Sequence, residues 1–231
     1  MFDCFSDRRV LGGAPFNVAW NLKGLGLDPQ VLTAVGNDDF GAEILSEMHR
    51  WNMDRCGLQV LPGFPTGRVD VQISSGQPTY RFCDDVAFDH IQPFDIQKSA
   101  EQFGLLYHGS LALRASESRN AICQLRQHVS CPVFVDINIR QPHFSFKLFE
   151  PLLFNVDHLK LNDDELKYLT EQSTVAAATA SYESWESLSR IARELKAKYK
   201  IKNLWLTAGS RGAAWIGPSG QYLRVNAPQV N

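Results

Sequence analysis

The residues able to do chemistry lie in short stretches that follow apolar, β-rich runs. After Leu204–Thr207 comes Ala208-Gly209-Ser210-Arg211-Gly212, and after His158–Leu161 comes Asn162-Asp163-Asp164-Glu165. Asn138 and Arg140 follow Val133–Ile137, and Gly109-Ser110 follow Leu105–His108. In open α/β sheets, ligands bind beyond the carboxyl ends of parallel strands, so these amides, acids, glycines and arginines would collect along a single rim. The mixture suits a polar substrate, a metal–phosphate group and a nucleotide. Near the start, Gly12-Gly13-Ala14-Pro15-Phe16-Asn17 adds glycines that permit close backbone approach and a proline suited to a first helical turn.

Each stretch also has a plainer reading. Asn162 and Glu165 have the spacing of a helix capping box in all but the Ser/Thr. Arg140 has the type of a surface ion-pair residue. The helix after Pro15 is apolar around most of its circumference through Val18, Ala19, Trp20, Leu22 and Leu25, so it is expected to be buried. Asn17 would then need a partner, either a polyhydroxyl ligand or a neighbouring loop that it caps. Gly24-Leu25-Gly26 closes a helix and lacks the third glycine of a dinucleotide fingerprint.

The elements that must position these residues alternate. Strands are predicted at Val31–Val35, Leu105–His108, Val133–Ile137, His158–Leu161 and Leu204–Thr207. Helices are predicted near Pro15–Leu25, Phe40–Trp51, Glu117–Val129, Phe146–Phe154, Asp164–Leu169 and Trp185–Tyr199. The last has Leu188, Ile191, Ala192 and Leu195 on one face and Arg190, Arg193, Glu194 and Lys198 opposite. Such alternation argues for a mostly parallel sheet with helices on both faces. Thr66–Cys83 breaks the rhythm: Val69, Val71 and Ile73 alternate with Arg68, Asp70 and Gln72, and Ser75-Gly76-Gln77-Pro78 supplies a turn. That is a hairpin with one wet face, an appendage to the α/β core. Ser173–Ser181, rich in Ala, Thr and Ser, reads as a loop.

Composition bounds the class. At 231 residues and 44% hydrophobic, the chain can bury a core that needs no disulfides. A formal net charge of −2 with scattered Lys and Arg gives no footprint for nucleic acid or an anionic membrane. The five cysteines (Cys4, Cys56, Cys83, Cys123 and Cys131) form no CxxC pair, and the histidines have no zinc spacing. Neither a membrane span nor a signal peptide is visible, so a cytoplasmic protein is expected.

Together these stretches resemble the PfkB (ribokinase-like) carbohydrate kinases. The resemblance runs through Gly12–Ala19, Gly26, Val35–Gly41, Thr66-Gly67-Arg68, Val86–Ile91, Tyr107–Leu111, Asp136–Arg140, Lys160–Leu166 and Thr207-Ala208-Gly209. The wording is nearest to fructokinase-type members. It implies a three-layer α/β/α sandwich with a mostly parallel sheet and a small β lid, formed by about 66–83 plus part of 5–12 of a single incomplete domain. It implies that Asp3, Gly13, Asn17 and Arg140 contact the sugar, that Asn162, Thr207, Gly209 and Gly212 serve the nucleotide, and that Glu165 helps hold Mg²⁺ through water. ATP and Mg²⁺ are the cofactors, and a small-molecule sugar is the partner. The apolar face of the lid hairpin is compatible with a homodimer.

The resemblance also leaves gaps. Only Met1-Phe2 precede Asp3, and the family's second signature, similar to Asp-Thr-x-Gly-Ala-Gly-Asp, is expected beyond Asn231. The catalytic base is therefore expected outside these residues, and the chain by itself is expected to be close to inactive. The expected function is phosphorylation of a sugar hydroxyl, with fructose leading. Another sugar, a keto-deoxy sugar acid or a nucleoside is the alternative within the enzyme class, and a non-catalytic sugar-binding relative is the alternative outside it.

Overall fold

Phe2 is fully buried and fixes the first strand, β1 (Phe2–Cys4), against the core. The computed structural model describes residues 1–74, 77–94, 103–175 and 181–229, which group into two units. The first comprises Met1–Ile96 with Ala115–Gln127, and the second Gln97–Arg114 with His128–Asn231.

In the first unit, β1 is followed by β2 (Arg9–Leu11), α1 (Ala14–Gly24), β3 (Thr33–Gly36), α2 (Asp39–Arg50), β4 (Leu58–Leu61), β5 (Arg68–Ser74) and β6 (Gln77–Phe82). β5 and β6 are the expected antiparallel hairpin; Gln77 and Pro78 of the expected turn are instead paired residues of β6, and Ser75-Gly76 lie outside the described residues. Val69 and Val71 are buried while Arg68 and Gln72 are exposed, so the alternation reports a one-sided strand. The hairpin joins a sheet in the order β2-β1-β5-β6, with β1 parallel to β5 and antiparallel to β2. The parallel pair β3–β4 is crossed over by α2 and packs Val35 against Phe2, Ile44 and Met48. Its other side contributes Ala34 to a cluster with Ala87, Ile91 and Ala121, the last from α3 (Ser116–His128).

Helix α1 corrects one expectation. Phe16 and Ala19 are buried, but Asn17, Asn21 and Gly24 are exposed. The polar residues at i and i+4 share a stripe, where the Asn21 amide donates to the Asn17 carbonyl at 2.7 Å. One apolar face is enough to reach the core.

The second unit follows the alternation closely: β7 (Leu106–His108), β8 (Val133–Asp136), α4 (Phe146–Phe149), β9 (His158–Asn162), α5 (Asp163–Ser173), α6 (Trp185–Lys198), β10 (Asn203–Thr207), β11 (Ala213–Ile216) and β12 (Tyr222–Val225). The sheet order is β12-β11-β10-β9-β8-β7, with β7 to β10 parallel. Leu159, Leu161, Leu204 and Leu206 point to one face and are buried with Leu166 and Leu169 of α5 and the Leu188–Leu195 stripe of α6. The opposite face carries a row of rings, Tyr107, Phe134, His158, Trp205 and Trp215, with neighbouring centroids 5.6 to 6.5 Å apart.

Two elements differ from expectation for local reasons. The helix expected at Phe146–Phe154 becomes 3₁₀ over Glu150–Leu153, where Pro151 cannot supply an α-helical N–H. α5 runs past Leu169, with the Thr170 and Ser173 hydroxyls bonding back to helix carbonyls, and it stops at left-handed Thr174. Ser173 is thus helical, and 176–180 of the expected loop lie outside the described residues. No helix among the described residues is long and apolar enough to cross a membrane.

Candidate active site

Parallel pairing brings the carboxyl ends of β8, β9 and β10 side by side in the second unit. Asp136 stands in register with Lys160, and Asn162 with Thr207. The Lys160 ammonium lies 2.9 Å from one Asp136 oxygen, and the Tyr107 hydroxyl donates to the other at 3.0 Å. Burial, and then the charge of Asp136, push the Tyr107 hydroxyl well above its ordinary pKa, so it stays a donor.

Glu165, like Asp136, is held at both carboxylate oxygens. It is only 6% exposed. Its Oε2 accepts from the Asn162 N–H at 2.8 Å and its Oε1 from the Ile139 N–H at 2.8 Å. The Asn162 side chain accepts in turn from the Glu165 N–H at 2.7 Å, so the capping box suggested by the spacing is formed. Each carboxylate oxygen accepts one protein donor and has further lone-pair capacity. Mg²⁺ keeps several of its waters. A carboxylate so placed fits a role in holding the ion through water.

Ile139 is gripped from both sides. Glu165 takes its N–H, while Arg140 Nη1 donates to its carbonyl at 3.1 Å. The preceding Asn138 is left-handed, with φ 47°. Arg140 itself is exposed, the position its plainer reading anticipates.

Beyond β10 the chain turns through Gly209–Arg211 and closes with Ala208 N–H donating to the Gly212 carbonyl at 2.9 Å. Gly212 has φ 100°, and a Cβ there would overlap the Val225 carbonyl, so only glycine fits. Thr207 is half-buried and Gly209 exposed, which leaves the turn backbone open to a ligand.

Asp3, Gly13 and Asn17 belong to the first unit. Asp3 sits in the ladder between Val10 and Val69. Buried Gly12 lies so near that a Cβ on it would be 2.9 Å from Asp3 Oδ2. Gly13 starts α1 at φ 99°, a conformation closed to most side chains. Asn17 follows in the first turns of the helix, exposed instead of buried.

The whole of this pattern can be set against known proteins. A family model described as pfkB family carbohydrate kinase matches residues 3–231. The chain belongs to this family. A putative sugar kinase of Pyrococcus horikoshii is 29% identical over 170 residues, covering 70% of this chain and 55% of that protein. A fructokinase of Rhizobium leguminosarum bv. trifolii is 26% identical over 180 residues, covering 74% and 55%. The crystal structure of the P. horikoshii protein in complex with ATP superposes with TM-score 0.80 at 23% identity, over 100% of this chain and 76% of that one. Halothermothrix orenii fructokinase gives TM-score 0.80 at 19% identity, over 97% and 82%. The fold is therefore the ribokinase-like α/β fold of the pfkB kinases. The chain spans about half the length of the curated relatives it matches.

Within this pfkB family chain, the stretch Val35–Gly41 is built as a joint. Asp38 caps α2 by accepting from Gly41 N–H at 2.8 Å, and it also accepts from the N–H and hydroxyl of Thr66 at 2.8 and 2.6 Å. The Thr66 hydroxyl accepts from Gly36 N–H at 2.8 Å. Sequence reasoning recognised both stretches but not the lock between them, which joins residues 28 apart. It also left Arg211 without a role, although the residue lies between two glycines already singled out.

Proposed function

We propose that the protein carrying this chain transfers the terminal phosphoryl group of ATP to a sugar hydroxyl, with fructose the leading substrate. The observation that carries this reading is the register of Asn162 with Thr207, beside buried Glu165, at the ends of parallel strands in a pfkB family chain. Fructose is preferred because proteins named fructokinase recur among both the sequence relatives and the structural neighbours.

Phosphoryl transfer depends on positioning and charge neutralisation more than on covalent chemistry. Thr207, Gly209 and Gly212 offer backbone and hydroxyl groups to the nucleotide, and Asn162 assists at the neighbouring strand end. Glu165 holds Mg²⁺ through water; the ion supplies charge neutralisation on the phosphates. Asp3, Gly13, Asn17 and Arg140 contact the sugar, Asp3 accepting hydrogen bonds from hydroxyls and Asn17 offering both donors and acceptors. The hairpin β5–β6 together with β2 serves as the substrate lid.

Ligand-induced stabilisation tests the reading. Mg-ATP and fructose should each raise the thermal midpoint, by up to about 2.7 kcal/mol of stability at a hundredfold excess over Kd. A panel with tagatose, a keto-deoxy sugar acid and nucleosides runs alongside, with the thermal midpoint measured for each. Preferential stabilisation by another member reassigns the substrate. A chain stabilised by Mg-ATP but by no sugar or nucleoside would sink the proposal.

A further inference from the structure

Arg211 holds the Gly209–Gly212 turn against the start of α5. Its guanidinium pairs with the Asp163 carboxylate, and Nη1 donates to the Tyr182 and Glu183 carbonyls at 3.0 and 2.5 Å. Its own carbonyl accepts from Trp185 Nε1 at 3.1 Å, and its N–H donates to the Ala208 carbonyl at 2.9 Å. One residue of the turn is therefore tied to the first residue of α5, to the lead-in of α6 and to α6 itself. Both side chains of the ion pair are about two-thirds covered (33% and 27% exposed), and a planar guanidinium held by several acceptors is a stiff link.

Asp163 directly follows Asn162, whose N–H and side chain close the box with Glu165, and Glu165 holds Ile139. A displacement of the turn must therefore pull on the box, and a displacement of the box on the turn. We propose that Arg211 is a positioning residue that couples the nucleotide turn to the Asn162–Glu165 box, so that ATP and Mg²⁺ bind with positive linkage. This rests on the reading of the turn as nucleotide-binding and of Glu165 as metal-facing. Linkage is reciprocal, so it can be read from either ligand.

The test is calorimetric titration of the chain with ATP, with and without Mg²⁺, in wild type, Arg211→Met, Arg211→Lys and Asp163→Asn. Arg211→Met should weaken Mg-ATP binding about tenfold, a typical size for coupling between sites, and should shrink the gain in ATP affinity given by Mg²⁺. Arg211→Lys should restore part of that gain through the Asp163 charge. Asp163→Asn should act in the same direction, whereas exposed Asp164→Asn, which also removes a helix-start charge, should leave the gain intact. Unchanged Mg-ATP affinity and unchanged Mg²⁺ gain in folded Arg211→Met would overturn the proposal. If that variant does not fold, the same result in Asp163→Asn overturns it. A wild-type chain that binds no Mg-ATP would instead fail the underlying site reading, and the coupling with it.

Discussion

Asp38 in the first unit and Glu165 in the second stand in near-identical text, Asn37-Asp38-Asp39 against Asn162-Asp163-Asp164-Glu165, yet they are wired differently. In the first stretch the second residue caps the helix; in the second the asparagine does, and the acid sits three residues on. Both carboxylates bind a distant loop, Thr66 at 28 residues and Ile139 at 26. Asp38 accepts three protein donors, from Gly41 N–H and from the N–H and hydroxyl of Thr66. Glu165 accepts two, one on each oxygen. The more saturated carboxylate is a joint; the less saturated one holds a joint and keeps further acceptor capacity.

The largest effect expected from this contrast is on Asp38. Asp38→Ala strips the acceptor from Thr66 and Gly41 and should cost about 2–4 kcal/mol of unfolding free energy in denaturant melts. Mg-ATP affinity should change little; a fold-intact variant that loses Mg-ATP binding would place Asp38 in the ligand site and erase the contrast.

Glu165→Gln comes next. Glutamine has one acceptor and one donor where two backbone donors must be met, so a cost of about 1–3 kcal/mol is expected. Unlike the Asp38 change, it should also raise the Mg²⁺ concentration needed for nucleotide binding. Lower stability with unaltered Mg²⁺ dependence would reduce Glu165 to a cap.

The Asp38 joint should also respond to acid. Burial raises the Asp38 carboxyl, but the hydrogen bonds from Thr66 and Gly41 outweigh it and hold the group below its ordinary value. Its ionised form therefore adds stability above the unfolded carboxyl pKa of about 3.9, and that increment is lost as pH falls through the lower folded value. The stability gap between wild type and Asp38→Asn should accordingly narrow below about pH 4. A gap that is flat across this range would remove the charge from the argument.

Asn17→Ala should give the smallest change in stability, within about 0.5 kcal/mol, because the side chain is exposed. Stabilisation by sugar should nevertheless disappear. Retained sugar response would take Asn17 out of the proposed site.

Much of the second unit was legible because hydrophobic alternation and strand-end residues are local signals. His158–Asn162 and Asn203–Thr207 lie within a residue of the predicted strands. β11 and β12 were not singled out, although Gly217-Pro218-Ser219-Gly220 between Trp215-Ile216 and Tyr222-Leu223 is a hairpin turn signal. Asn17 was placed on a buried helix because apolar content was read without its stripe. The Asp38–Thr66 lock and the Arg211–Asp163 pair were illegible for a different reason. Their partners are 28 and 48 residues apart, and only the folded chain brings them together.

The indole rings offer a direct optical consequence of the packing. Trp20 and Trp51 lie 4.5 Å apart in the first unit, and Trp205 and Trp215 lie 6.0 Å apart in the second. Chromophores this close share their electronic excitations, so each pair should give its own couplet in the far-ultraviolet circular dichroism spectrum. Replacing Trp51 or Trp205 by phenylalanine silences one couplet and leaves the other as an internal gauge. Melting curves recorded on the surviving couplet would then show whether the two units lose their packing in one transition or in succession, since coincident curves from separate probes are the mark of a single cooperative step.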